Sequence, residues 1–156
     1  MRIHLICVGR RMPAWVEAGY REYARRLPPE CGLHLIEVEP LHRGKTAGPD
    51  QARTQEAERI LKLIPKGAAV VALDGRGQGW STQDLALQLE GWLGGGRDLA
   101  LLVGGPDGLA PACLTRADQH WSLSRLTFPH PLVRVILAEQ LYRAWTLYKG
   151  HPYHRA

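Results

Sequence analysis

Apolar and polar positions follow two periods along this chain, near two and near three and a half, and each switch of period marks a change of element. Arg2 to Val8 reads as a strand ending in Gly9. Pro13, a good first helical residue, opens a segment in which Trp15, Val16, Gly19, Tyr20, Tyr23 and Leu27 recur every three or four residues. Glu17, Arg21, Glu22, Arg25 and Arg26 fill the other face, so the spacing predicts a helix stopped by Pro28-Pro29. Its aromatic stripe is expected in the core, packing being a simpler role for those rings than base stacking. Leu33 to Val38 alternates as a second strand up to Pro40, and the basic stretch Leu41 to Gly48 reads as a loop. Pro49-Asp50 starts a helix with Ala57, Ile60, Leu61 and Ile64 on its inner face, closed by Pro65-Lys66-Gly67.

Ala68 to Leu73 is apolar throughout, the pattern of a strand covered on both faces of a parallel sheet. A glycine-rich loop from Asp74 to Trp80 follows, and Ser81-Thr82-Gln83-Asp84 resembles a capping box for a helix through Trp92, ended by Gly94-Gly95-Gly96. Leu99 to Val103 is a fourth strand, Leu109 to Gln119 a short helix and Trp121 to Phe128 a fifth strand. The last helix, Leu132 to Lys149, is apolar over most of its circumference and needs cover on several sides; a second copy of the chain supplies it, which predicts a homodimer.

Strand and helix thus alternate five times, which predicts one α/β domain over residues 1–156: a mostly parallel sheet of five to six strands with helices on both faces. Such sheets hold their sites at the carboxyl ends of the strands, where Leu73-Asp74, Gly104-Gly105 and Leu126-Thr127-Phe128 fall. Two adjacent glycines let a ligand lie against bare main chain, and the rigid Pro129-His130-Pro131 adds an apolar wall suited to an adenine ring.

Composition narrows the chemistry. With 156 residues, 45% of them hydrophobic, the chain has material for one core. It has no apolar run near the roughly 20 residues of a membrane span and no signal-peptide core, so a soluble, cytoplasmic protein is expected. A net charge of +5 favours a polyanion such as RNA, with Arg10, Arg11, Arg43, Lys45 and Arg76 as candidate contacts. Cys7, Cys31 and Cys113 lie far apart and read as small buried hydrophobes. There is no G-x-G-x-x-G, no P-loop and no G-x-S-x-G elbow, and the tail histidines lack the cysteines or paired carboxylates of a metal site, so no metal is expected.

Four motifs occur in order: Leu-Leu-Val-Gly-Gly-Pro-Asp-Gly-Leu at 101–109, Leu-Thr-Phe-Pro-His-Pro-Leu-Val-Arg at 126–134, Ala-Glu-Gln-Leu-Tyr-Arg-Ala at 138–144 and His-Pro-Tyr-His-Arg at 151–155. With the Gly9 to Trp15 segment they make the chain resemble, over essentially its whole length, the RlmH family of bacterial large-subunit rRNA pseudouridine N3-methyltransferases, of the SPOUT superfamily. That resemblance implies a C-terminal trefoil knot, S-adenosylmethionine held in it, and dimerisation. The knot rests on resemblance alone, since periodicity shows none and general topological rules weigh against one.

By position, the resemblance implies a methyl-donor pocket lined by Leu73, Gly104, Leu123, Ser124, Arg125, Leu126, Thr127 and Phe128. Arg125 stands where similar proteins vary, which is consistent with contact through backbone atoms, and Asp107 stands where a glutamate is also common. The implied reaction moves the sulfonium methyl to N3 of a pseudouridine in large-subunit rRNA, in assembled ribosomes. N3 must lose its proton to attack. Tail position and residue type make His154 the candidate proton acceptor or orienting group, with Tyr153 and Arg155 holding base and phosphate. Two alternatives stay open: the same fold and cofactor acting on tRNA, and a non-catalytic dimeric RNA- or ribosome-binding factor whose glycine loops are only turns.

Overall fold

Successive side chains on a strand face opposite ways, so a run apolar at every position needs cover on both sides. The computed structural model describes residues 1–41 and 48–155, with side chains through Tyr153. Its strands are β1 (Ile3–Val8), β2 (Leu33–Val38), β3 (Ala69–Gly79), β4 (Leu99–Val103) and β5 (Gln119–Ser122). They form one sheet in the order β2-β1-β4-β3-β5, every pairing parallel. On one face Ile3, Leu5, Val71, Leu99 and Leu101 pack with Leu85 and Leu89 of α3 (Thr82–Gly95) and Leu137 and Leu141 of α5 (His130–Lys149), and Tyr20 of α1 (Ala14–Ala24) lies at the margin. On the other, Ile6, Val8, Val70, Ala72, Ala100 and Leu102 meet Ala57 and Ile60 of α2 (Pro49–Leu63) and Cys113 of α4 (Pro111–Arg116). This is the sheet with helices on both faces that the alternation predicts, with five strands.

The three cysteines are buried in these layers as free thiols. Burial pushes them up, Cys7 to about 12 and Cys31 and Cys113 to about 11, so they stay protonated and act as packing groups. The capping box at α3 forms as expected: Ser81 Oγ accepts from the Asp84 amide at 3.0 Å, and the Asp84 carboxylate accepts from the Ser81 amide at 2.9 Å.

Several boundaries differ from the sequence reading, each for a physical reason. β3 continues through the glycine-rich stretch to Gly79, because an irregularity between Leu73 and Gln78 lets it rejoin β5. A Cβ on Gly77 would lie 2.6 Å from the His120 carbonyl carbon, so only bare backbone fits that approach. β5 in turn stops at Ser122, short of Phe128. The Ser122 hydroxyl donates to the Ser124 carbonyl at 3.1 Å and Ser124 Oγ accepts from the Leu126 amide at 2.9 Å, which turns residues 123–128 out of the sheet. The helix expected over Leu109 to Gln119 is only Pro111–Arg116.

Trp15 is not core: it is 61% exposed. The inner stripe of α1 is Val16 and Tyr20, and Gly19 lets the helix close on Val135 of α5, whose Cγ1 would be 3.3 Å from a Cβ there. Trp15, one residue before that stripe, is rotated about 100° away from it.

Candidate active site

Three chain turns meet at the carboxyl edge of the sheet. The first follows the buried part of β3 and presents Leu73 and Asp74. The second, after β4, is the Gly104 to Gly108 turn, held by a bond from the Gly108 amide to the Gly105 carbonyl at 3.0 Å. A Cβ on Gly104 would sit 2.7 Å from the Gly108 carbonyl oxygen and 2.7 Å from the Leu109 amide nitrogen, so the turn folds flat against a residue that must have no side chain. The third is the 123–128 segment braced by Ser122 and Ser124.

Together they enclose a hollow of about 400 Å³, within the roughly 300–1,000 Å³ of small-molecule sites. Leu73, Gly104, Leu123, Ser124, Arg125, Leu126, Thr127 and Phe128 all line it. The structure therefore brings the eight candidate donor-pocket residues into one place. It also places Asp74 and His130, which the sequence put at the strand-end crevice, in the lining, and adds Val133, which the sequence did not suggest. Asp74 was legible as the residue that follows the apolar run Ala68 to Leu73 and His130 as the centre of Pro129-His130-Pro131; Val133 needed the helix position.

The charges around the hollow are few. Arg76, with a side chain 81% exposed, reaches the largely shielded Asp74 carboxylate at 3.3 Å. Burial, then the nearby Arg134 cation, lowers the pKa of His130, which holds the ring neutral. Arg134 is itself 2% exposed; it donates to the Glu37 carboxylate at 2.7 Å and to the Gly9 carbonyl at 2.9 Å, tying α5 to β2 and to the end of β1. An arginine inside an apolar helix gave the sequence reading no reason to expect this link.

The tail lies elsewhere. Tyr153 packs edge-on against Tyr142, centroids 4.7 Å apart, under the Arg143 guanidinium, and its hydroxyl donates to Glu139 at 3.3 Å. His151 stacks on Trp145. Glu139 is nine residues beyond His130, so at 1.5 Å per residue this docking site is roughly 14 Å along α5 from the hollow. His154 and Arg155 belong to the short helical turn Pro152–Arg155, with side chains outside the described set. Of the RNA-contact candidates, Arg10 pairs with Glu39 at 3.3 Å, Arg11 is exposed at φ 56°, and Arg76 lines a separate depression with Gln78 and His120 while pairing with Asp74 of the hollow. Arg43 and Lys45 lie outside the described residues. No three His, Cys, Asp or Glu side chains among the described residues converge as a metal site.

A family model described as "Predicted SPOUT methyltransferase" matches residues 1–154. The chain belongs to the SPOUT methyltransferase family. Among curated relatives of this SPOUT methyltransferase, "Ribosomal RNA large subunit methyltransferase H" of Thioalkalivibrio sulfidiphilus is 64% identical, with 99% of each chain covered. The protein of the same name from Alkalilimnicola ehrlichii is 62% identical over the whole of both chains. Among solved structures, a probable methyltransferase from Bordetella pertussis shares the fold, with a TM-score of 0.59, 16% identity, and 92% of this chain and 95% of that chain covered. In this SPOUT methyltransferase the hollow at the carboxyl edge brings the main chain of three turns to one place.

Proposed function

We propose that this enzyme transfers the methyl group of S-adenosylmethionine to N3 of a pseudouridine in large-subunit ribosomal RNA, acting in the cytoplasm as a homodimer on assembled ribosomes. The observation that carries the reading is the convergence of Leu73, Gly104 and residues 123–128 on one hollow. It occurs in a chain 64% identical, end to end, to a relative named for rRNA methylation.

The residues fit the donor. The bare Gly104 turn and the main chain of 123–128 give an adenine amides and carbonyls to pair with, while Leu73, Leu123 and Phe128 supply apolar walls. Recognition through main chain is consistent with Arg125 standing where similar proteins vary. S-adenosylmethionine, when bound, supplies an electrophilic methyl on a positively charged sulfur. Asp74 contributes the one carboxylate of the lining, offset by Arg125 of the lining and by the Arg76 guanidinium 3.3 Å from it, so main-chain and apolar contacts, not net charge, carry donor binding. A carboxyl-terminal trefoil knot belongs to the same reading.

On the RNA side, His154 accepts or orients the N3 proton, while Tyr153 and Arg155 hold base and phosphate. Because Tyr153 rests on the far half of its own α5, these roles call for the tail of one chain to serve the hollow of a second. α5, with Leu132, Val133, Ile136, Trp145 and Leu147 only partly buried, provides apolar surface for that pairing. Arg10, Arg11, Arg43, Lys45 and Arg76 supply the basic rim that draws RNA in.

The deciding experiment incubates the purified protein with labelled methyl donor and ribosomes lacking the modification, followed by mass-spectrometric nucleoside mapping. One methylated pseudouridine per large subunit is expected; label in tRNA only, or in no RNA, would sink the proposal.

A further inference from the structure

Trp15 is the most exposed tryptophan, tyrosine or phenylalanine among the described residues, and its backbone setting is fixed. The Gly9 amide donates to the Val38 carbonyl at 2.8 Å, the Gly9 carbonyl accepts from buried Arg134 at 2.9 Å, and the Val16 amide closes the first turn of α1 onto Pro13 at 3.0 Å. The Gly9 to Trp15 segment also lies at the working edge of the sheet. Cys7 pairs with Val103, so this segment leaves β1 beside the Gly104 turn, and His130 of the hollow comes within 3.6 Å of a Cβ placed on Gly9.

Arg10 and Arg11, both exposed, stand five and four residues before the ring on the same Gly9 to Trp15 segment. The Arg10–Glu39 pair joins side chains 56% and 59% exposed, a contact that water and salt screen heavily. Protein interface cores are depleted of charge, whereas single-stranded RNA is bound by aromatic faces that stack on bases beside cations that take phosphates.

We propose that Trp15 is a stacking platform for an unpaired nucleotide of the RNA substrate, with Arg10 and Arg11 on the flanking phosphates. This deepens the RNA-methyltransferase reading and rests on it. The ring touches neither donor nor reacting nitrogen; it positions the RNA.

The test uses the full chain with ribosomal substrate and four readouts: KM for RNA, kcat, donor affinity by calorimetry, and sedimentation. W15A should raise the RNA KM roughly 5- to 100-fold, the range of one lost base stack, with kcat at saturating RNA and donor affinity unchanged. W15F should recover most of the loss. W15L, apolar without a π face, should behave like W15A. The salt slope of RNA binding should be unaltered by W15A and shallower for R10A/R11A. The proposal is overturned if W15A leaves the RNA KM unchanged in an active enzyme, if W15L rescues as well as W15F, or if W15A changes the sedimentation coefficient, which would make the ring a contact between copies. A wild-type enzyme that methylates no RNA would instead strike the underlying reading.

Discussion

At Gly104 the absence of a side chain is a steric requirement. Gly104→Ala would drive a methyl into the Gly108 carbonyl and the Leu109 amide, both backbone, so the turn must open. Expected are a loss of about 1–3 kcal/mol in urea unfolding and a drop of at least about tenfold in donor affinity by calorimetry. His130 gives a pH signature. Its pKa is lowered from the ordinary 6.5 by burial and by Arg134. The unfolded chain therefore takes up the proton first; the contribution to stability is whole above about pH 6.5 and is lost as pH falls from there through the lowered value. Because the ring lines the hollow, a proton there also repels a cationic donor. Donor affinity should stay flat from about pH 8 to 6.5 and fall below it, and His130→Gln should flatten that fall.

Among the elements, α5 does the most. It packs on the core through Leu137, Leu141 and Ala144, places His130 and Val133 at the hollow, and through Arg134 fixes both an edge strand and the turn after β1. Arg134→Met keeps volume and removes the charge, leaving Glu37 and the Gly9 carbonyl without a donor. Because Glu37 is one-third exposed and regains some water, the loss should be about 3 kcal/mol, read as a lower urea midpoint. The Gly9 to Trp15 segment should also lose protection in hydrogen exchange. At α3 the capping box predicts about 1 kcal/mol for Ser81→Ala, with no effect on donor binding, since Ser81 does not line the hollow.

For the molecule as a whole, the separation of tail from hollow is the feature that most constrains how the enzyme works. Deleting residues 151–156 removes Tyr153 from Glu139 and Tyr142 and His151 from Trp145, contacts on the far half of α5. Donor affinity should then be unchanged while methyl transfer falls by about a hundredfold or more, the range of a lost general base. Equal losses in binding and transfer would place the tail over its own hollow. Mixing tail-deleted protein with a Gly104 variant tests the proposed pairing of tail and hollow between two copies: activity should reappear in the mixture, and a mixture as inactive as its parts would sink that pairing.

Periods along the chain were enough for the α/β class, the two-sided helix layers and the five strand cores, because burial on both faces forces apolar runs such as Ala68 to Leu73 and Leu99 to Val103. Spacing also gave the capping box at Ser81, whose bonds are local. The family resemblance implied the eight pocket residues, and the carboxyl edge of a parallel sheet explains why turns so far apart in the chain meet there. Contacts between distant segments were not written in any period. Trp15 fits a helical stripe yet stands in water, because Val16 next to it is the residue that faces the core where Gly19 lets α1 close on Val135 of α5. Phe128 continues an apolar run yet leaves the sheet, because two serine hydroxyls capture the main chain. Arg134 looks misplaced in an apolar helix until Glu37 and the Gly9 carbonyl are brought to it. Local periodicity records which way a side chain must face, whereas partners from other elements determine whether that face is met by core, ligand or solvent.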